Sequence, residues 1–251
     1  MPGQSGIPPL TNYWPIAGLR IRITVGAPAG PASTLELRLP DQEDLCALAA
    51  LAEAGVHDPA LQPFPVAWTD AEPAARAQSV LQYHWRCLGG WSPDDWTLNL
   101  VVDRDGAVVG TQGISAKNYR IVREVGTGSW LGRRHQGKGT GSAMRAAVLA
   151  LAFDGLGADY ALSEAFTDNA ASLAVSRKLG YADDGMDRMV IRGRAAESRR
   201  LRIARAAWQA AGGASGLGIG KVTVEGLEAC LTLFGAGKPD QIESGEAVAP
   251  T

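Results

Sequence analysis

Residues 131–145, LGRRHQGKGTGSAMR, set four glycines and four arginine or lysine side chains ahead of an alanine-rich run. Glycine lets the backbone approach a ligand closely, and successive N–H groups at a helix mouth form a concavity of positive potential. The chemistry to expect is phosphate binding, and three patterns compete for it. Gly132 to Lys138 fits seven positions of GxxxxGK[ST], but Gly139 stands where the magnesium-binding hydroxyl belongs and Thr140 comes one place late. GxGxxG starts at Gly137 and Gly139 and then meets Ser142 in place of its third glycine. The pattern Q/R-x-x-G-x-G/A is met in full by Gln136, Gly139 and Gly141. A glycine-rich turn with no ligand is the plain alternative.

A second stretch, NAASLAVSRKLGY from Asn169, follows the strand-like DYALSEAF. QGKGTG and NxxSxxVxxKLGY, with SWLG ahead of the first, together resemble the GCN5-related N-acetyltransferases (GNAT). Within that superfamily the resemblance is to the branch that acetylates N-termini of ribosomal proteins (RimJ/RimL-like), and it spans roughly residues 35–205. It implies an α+β GNAT fold, with a mixed central sheet splayed between two strands and helices on both faces. It also implies an acyltransferase enzyme that takes acetyl-CoA as co-substrate, needs no metal, and transfers acetyl directly to a primary amine. The acceptor is then a protein N-terminus or a small-molecule amine. A second reading keeps the fold without catalysis, as an acyl-CoA-binding or interaction module.

The resemblance implies roles for individual residues. The strand ending at Trp130 and Leu131 is expected to meet the pantetheine arm through its backbone, with Gly126 and Gly128 permitting a bulge that opens the sheet. The backbone through Gln136, Gly137, Lys138, Gly139, Thr140, Gly141 and Ser142 is expected to cradle the pyrophosphate, with Arg133 and Arg134 nearby. Asn169 is expected to reach the pantetheine beside Ser172; a plain helix N-cap is its other reading. Ser176 stands where many relatives carry a tyrosine, and the resemblance sets its hydroxyl at the CoA sulfur. An ordinary helix serine is the alternative there. Tyr181 is expected to pack as a closing aromatic residue.

Transfer needs an unprotonated amine and a route for its proton. Glu124 and Glu164 are the candidate bases, acting through water, although solvated or paired carboxylates are the plain reading of both. His84 lies on an apolar helix face and reads as a core residue. His57 falls in a proline-bounded loop, and His135 falls inside the glycine stretch, where contact with CoA is open to it. The acceptor is expected between the first two helices and a late hairpin, a region holding Phe64, Trp68, Tyr83, Trp85, Trp91 and Trp96. Arg192, Arg194, Arg199, Arg200, Arg202 and Arg205 read as a solvated hairpin face, or as a surface for an acidic peptide or ribosomal RNA.

The elements that must position these groups are legible in the patterning. LRIRITV alternates, in a Pro/Gly-rich extension over residues 1–33, and reads as a strand added to a sheet edge. TLELRLP is a half-buried strand, and Asp41 caps a helix running to Gly55 with Asp44 in its first turn. Pro73 opens a second helix whose apolar face is Ala77, Val80, Leu81, His84 and Leu88. WTLNLVV and AVVGTQGI flank DRDG as a hairpin, and VREVGTGSWL is the next strand. A helix from Ser142 to about Phe153 follows, stopped by Gly155 and Gly157. DYALSEAF is a strand, NAASLAVSRKLGY a short helix, and RMVIRGRAAESRRLRIA a hairpin. The GNAT domain is expected over residues 34–210. GLEACLTLF has helical spacing within a C-terminal extension, 211–251, whose last seventeen residues read as disordered.

Composition narrows the class. With 24 basic and 26 acidic residues the chain is nearly neutral, which disfavours wholesale binding to nucleic acid or anionic membranes. Cys46, Cys87 and Cys230 are far apart and read as buried thiols of a reducing compartment. No apolar run has the roughly 18 residues a bilayer span requires. A cytoplasmic protein is expected, with a homodimer open to it.

Overall fold

The computed structural model describes residues 7–26 and 32–237. In chain order the strands are β1 (Arg20–Val25), β2 (Ser33–Arg38), β3 (Asp95–Arg104), β4 (Ala107–Lys117), β5 (Glu124–Leu131), β6 (Tyr160–Phe166), β7 (Ala182–Ile191), β8 (Arg194–Ala204) and β9 (Lys221–Glu225). The helices are α1 (Gln42–Ala54), α2 (Pro73–Gly89), the single turn α3 (Tyr119–Val122), α4 (Thr140–Ala150), α5 (Ala170–Lys178), α6 (Arg205–Ala210) and α7 (Gly213–Gly216). The strands form one mixed sheet in the order β7-β8-β6-β5-β4-β3-β2-β1-β9. The β5–β6 pairing is parallel and the others are antiparallel.

Local chemistry explains the boundaries. Asp41 accepts the Asp44 N–H and Asp44 accepts the Asp41 N–H, a capping box worth about 1 kcal/mol at the start of α1. Arg38 adds a second hydrogen bond to the same Asp44 carboxylate, at 2.9 Å, so the end of β2 and the start of α1 are tied together. The β3–β4 turn puts Asp105 and Gly106 at positive φ, as does the β7–β8 turn with Arg192 and Gly193. Both are the two-residue turns whose twist suits a hairpin.

α1 and α2 pack together on one face of the sheet, and α4 lies on the other against β1, β2, β4 and β5. α4 is buried at every position from Ser142 to Ala150 and continues into a π-helical turn, Leu151–Gly155, rather than ending in α-helical geometry at Phe153. A helix buried all round belongs inside a domain, and α4 carries one charged residue there, Arg145. β1 is not an added edge strand: it pairs with β2 on one side and β9 on the other, and Ile21 and Ile23 are fully buried. β9 takes the edge.

GLEACLTLF forms a 3-10 turn, Glu228–Cys230, followed by turns, instead of an α-helix. Its apolar spacing still points inward, because a tight turn also brings Cys230 and Phe234 to one side, where both are fully buried. Phe234 packs edge-on to Trp91 and Trp96, and each tryptophan indole donates to a backbone carbonyl of this segment. Such aromatic pairs add about 0.5–1.5 kcal/mol each beyond burial. The segments flanking 34–210 thus share the core of the sheet; of residues 235–251, where disorder was expected, Gly235 and Ala236 are hydrogen-bonded to the preceding turn and 238–251 lie outside the described residues. Cys46 is exposed on α1, contrary to the expectation of a buried thiol; Cys230 is buried. Among the described residues, no helix is long and apolar enough to cross a membrane.

Candidate active site

The sheet divides between β5 and β6. Their parallel ladder holds only Glu124–Tyr160, Val125–Ala161 and Gly126–Leu162. Past Gly126, β5 stays with β4 while β6 follows β8 antiparallel along its whole length, so the β6-facing backbone of residues 127–131 has no strand partner among the described residues. Thr127 Oγ1 donates to the Leu162 carbonyl at 2.9 Å where the strands part. The expected bulge is absent: β4 and β5 run in unbroken register from Gly110–Leu131 to Ser115–Gly126. Strand divergence alone opens the sheet.

A cavity of about 760 Å³ fills the split and continues under α2. Its walls come from residues 127–130 of β5, 162–164 of β6, Val80, Tyr83 and His84 of α2, Phe64 and Trp68 of the preceding loop, and Asp184, Arg200 and Leu201 of the late hairpin. Trp130 at the end of β5 packs on Trp68, with ring centroids 5.9 Å apart. The surface is mostly apolar, with Glu164, Asp184 and Arg200 as charged members on the side of the hairpin and Arg86 on the side of α2.

Next to the end of β5 lies the glycine loop. Gly137 and Gly139 adopt positive φ (73° and 77°), and a Cβ built on either meets open space. The first helical hydrogen bond of α4 runs from the Ala143 N–H to the Gly139 carbonyl, so the amides of Thr140, Gly141 and Ser142 precede the helical ladder. The loop is braced from behind. Gln136 Nε2 donates to the carbonyls of Val56 (2.7 Å) and Leu131 (2.9 Å), and Arg104 donates to the Lys138 carbonyl and to Thr140 Oγ1. The side chains of Gln136 and Thr140 therefore hold the loop, and the Gln136 N–H is itself taken up by the Arg133 carbonyl at 3.3 Å. A helix mouth with three amides ahead of its ladder and the exposed Arg133, Arg134 and Lys138 fit a pyrophosphate. His135 receives a hydrogen bond from Arg134 Nε at 2.9 Å. Burial, then Arg134, Lys138 and Arg104, push its pKa down.

Asn169 is the N-cap of α5, its Oδ1 accepting the Ser172 N–H at 3.1 Å. Ser176 is fully buried and does not line the cavity; its hydroxyl lies 3.3 Å from Arg145 Nη1. The same Nη1 donates to Ser163 Oγ at 2.8 Å, and Ser163 does line the cavity. Tyr181 is buried beside this cluster, its hydroxyl 3.4 Å from Thr127 Oγ1, and burial raises its pKa.

The two candidate bases separate. Glu124 stands at the closed end of the β5–β6 ladder, 3.4 Å from Arg202, and does not line the cavity. Glu164 lines it, cross-strand from Arg200. His84 also lines it, but burial drops its pKa to about 4, which leaves the ring neutral near pH 7. His57 is tied to the Asp58 carbonyl and to Thr69 Oγ1.

The aromatic residues divide as well. Phe64, Trp68 and Tyr83 line the cavity, Trp91 and Trp96 belong to the core, and Trp85 is exposed. Most of the hairpin arginines are neutralised by carboxylates: Arg192 by Asp70, Arg199 by Asp183, Arg200 by Asp187, Arg202 by Glu124 and Asp184, and Arg205 by Asp159. Such a face has little net charge to offer RNA or an acidic peptide.

Sequence reasoning missed Ser163, Asp184 and Arg145, and placed Arg200 on the hairpin face without its place on the cavity wall. Ser163 and Glu164 point to opposite sides of β6, a two-residue period that DYALSEAF carries. The signal for Arg145 was also present, as one charged residue inside SAMRAAVLALAF, a run otherwise without charge.

The family described as the acetyltransferase (GNAT) domain matches residues 34–182. Among solved structures, Mycobacterium smegmatis RimJ in complex with CoA-disulfide is similar at 19% identity and TM-score 0.59, over 79% of this chain and 96% of that one. A ribosomal-protein alanine acetyltransferase from Vibrio fischeri is similar at 18% identity and TM-score 0.53, over 69% and 94%. The microcin self-immunity acetyltransferase MccE, in complex with acetyl-CoA and AMP, is similar at 15% identity and TM-score 0.51, over 68% and 92%. At these identities the likeness is one of fold.

Proposed function

The chain belongs to the GNAT acetyltransferase family, and from that premise we propose that it passes an acetyl group from acetyl-CoA directly to a primary amine held under the split between β5 and β6. One observation carries the reading: the glycine loop at the mouth of α4 stands at the end of β5, and the split beside that strand leads into a cavity with a carboxylate on its wall. In this reading the pyrophosphate rests on the backbone from Gln136 to Ser142. The pantetheine arm runs along the unpaired backbone of residues 127–131, with Asn169 and Ser172 at its flank.

The amine enters from the α2 side. Apolar walls at Phe64, Trp68, Val80 and Tyr83 disfavour an ammonium and favour the free base. Glu164, through water, takes the proton that the amine loses as its C–N bond forms. An N-terminal amine, with a pKa near 8, sheds that proton more easily than a lysine near 10. The α-amine of a peptide or small molecule is therefore the preferred acceptor. The Vibrio fischeri neighbour, named for a ribosomal protein, supports a peptide end, and MccE, bound to AMP, supports a small molecule.

Two measurements test the proposal. Thiol release from acetyl-CoA across a panel of amines should be amine-dependent; tight binding with no release under any amine would identify a binding module instead. One peptide carrying both a free N-terminus and an internal lysine should be labelled mainly at the N-terminus by mass spectrometry. Label mainly on the lysine would overturn the α-amine preference.

A further inference from the structure

Arg145 lies in the middle of α4 with 5% of its surface exposed. Among the described residues no aspartate or glutamate pairs with it, in contrast to the hairpin arginines. Its Nε has no partner, and its Nη1 meets two serine hydroxyls, Ser163 at 2.8 Å and Ser176 at 3.3 Å. A guanidinium keeps its charge in a protein, and a buried charge without a counter-ion is costly. A fold retains such a group where a negative charge arrives or forms.

The position of Ser163 shows where that charge would form. It follows Leu162, the last β6 residue paired with β5, so it stands at the branch point of the split and on the cavity wall. A hydroxyl that accepts from Arg145 keeps its own hydrogen free to donate onward. The cation behind it makes that donation stronger.

We propose that Ser163, backed by Arg145, is the site for the thiolate that leaves acetyl-CoA, and that this site rather than Ser176 alone stabilises the departing sulfur. The proposal rests on the transferase reading above. In the step, the amine lone pair forms the C–N bond, the C–S bond breaks, and its electron pair stays on sulfur. The amine proton goes through water to Glu164. Ser163 donates a hydrogen bond to the sulfur without giving up its proton, and water protonates the thiolate on release. Ser163 is then a catalytic residue and Arg145 a positioning residue that acts through it.

The test compares CoA with desulfo-CoA, which lacks the sulfur, by calorimetry at pH 8, together with the thiolate absorbance of bound CoA and the turnover number. The wild type should bind CoA at least tenfold more tightly than desulfo-CoA and show bound thiolate. Ser163→Ala and Arg145→Met should both collapse that preference to within twofold, lose the thiolate band and lower kcat at least tenfold, with desulfo-CoA affinity unchanged. An arginine needed only for packing would give the opposite pattern in Arg145→Met, a lower melting temperature with the preference retained. Should Arg145→Met not fold, Ser163→Ala, which keeps the arginine, decides alone. A preference retained in Ser163→Ala overturns the thiolate site. A wild type that binds CoA and desulfo-CoA alike overturns it too and leaves the transferase reading standing, whereas binding of neither overturns both.

Discussion

The guanidinium of Arg192, at the turn between β7 and β8, is bidentate to the carboxylate of Asp70, 122 positions earlier in the chain, with its Nε 2.8 Å from Oδ2. A further bond runs from Nη1 to the Pro59 carbonyl at 3.1 Å. Asp70 and Pro59 belong to the α1–α2 connection that also supplies Phe64 and Trp68 to the cavity, and the hairpin supplies Asp184 and Arg200. One ion pair therefore clamps two walls of the cavity together, and it holds the Asp70 pKa below its ordinary value.

Asp70→Ala should raise KM for the acceptor by roughly three- to tenfold while KM for acetyl-CoA stays constant, because only the acceptor walls loosen. Melting temperature should barely move, as partly exposed ion pairs contribute little. Steady-state kinetics with each substrate varied in turn would check this, and an unchanged acceptor KM would count against the clamp.

The glycine loop offers a cleaner variant at Gly141 than at its neighbours. Gly137 and Gly139 have positive φ, so any side chain there strains the backbone, whereas a Cβ at Gly141 makes an ordinary 3.6 Å contact with Val175. Gly141→Asp should fold normally and lose CoA affinity at least tenfold, by setting a negative charge at the helix mouth. Calorimetry on the folded variant measures it. Unchanged affinity would move the pyrophosphate elsewhere.

The two glutamates should respond differently. Glu164→Gln should lower kcat/KM by roughly 10- to 100-fold, as loss of a proton acceptor does. Glu124→Gln breaks only the contact with Arg202 and should leave turnover within about twofold. Equal losses in both variants would remove Glu164 from its assigned role.

Burial of His84 has a stability signature. Its folded pKa, about 4, lies below the unfolded value of 6.5. Above pH 6.5 both states are neutral and no penalty applies. As pH falls from 6.5 toward 4 the unfolded chain takes up a proton that the folded chain refuses, and up to about 3 kcal/mol of stability is lost. Urea titrations of His84→Gln should show a shallower decline over that window. A wild-type slope in the variant would assign the acid sensitivity to other groups.

Much of this architecture is readable before any coordinates. The capping pair Asp41 and Asp44, the hairpin turns at Asp105–Gly106 and Arg192–Gly193, and the N-cap at Asn169 act within a few residues, so local chemistry determines them. What could not be read depends on distant partners. LRIRITV looks the same at an edge or one strand inward; its place was decided by β9, some 200 residues away. Glu124 and Glu164 are equivalent in sequence until Arg202 and the split between the strands tell them apart. Ser176 fits a family position, yet only the packing of α4 on α5 shows that Arg145 reaches its hydroxyl.

The parting of β5 from β6 also bears on how the molecule holds itself together. The two halves of the sheet, β9 through β5 and β6 through β7, are stitched by three ladder pairs, the Thr127–Leu162 bond, the Asp159 N–H to the Arg123 carbonyl and the Glu124–Arg202 ion pair. A seam that short gives way at lower free energy than the long antiparallel ladders on either side, so the halves breathe against each other as semi-independent units. A pantetheine arm has amides of its own, and lying in the gap it acts as a splint for the missing rungs. Amide exchange in β6 and β8 should slow when CoA binds, more than in β3 or β4. The ligand that the protein consumes is then also the strand that completes its sheet.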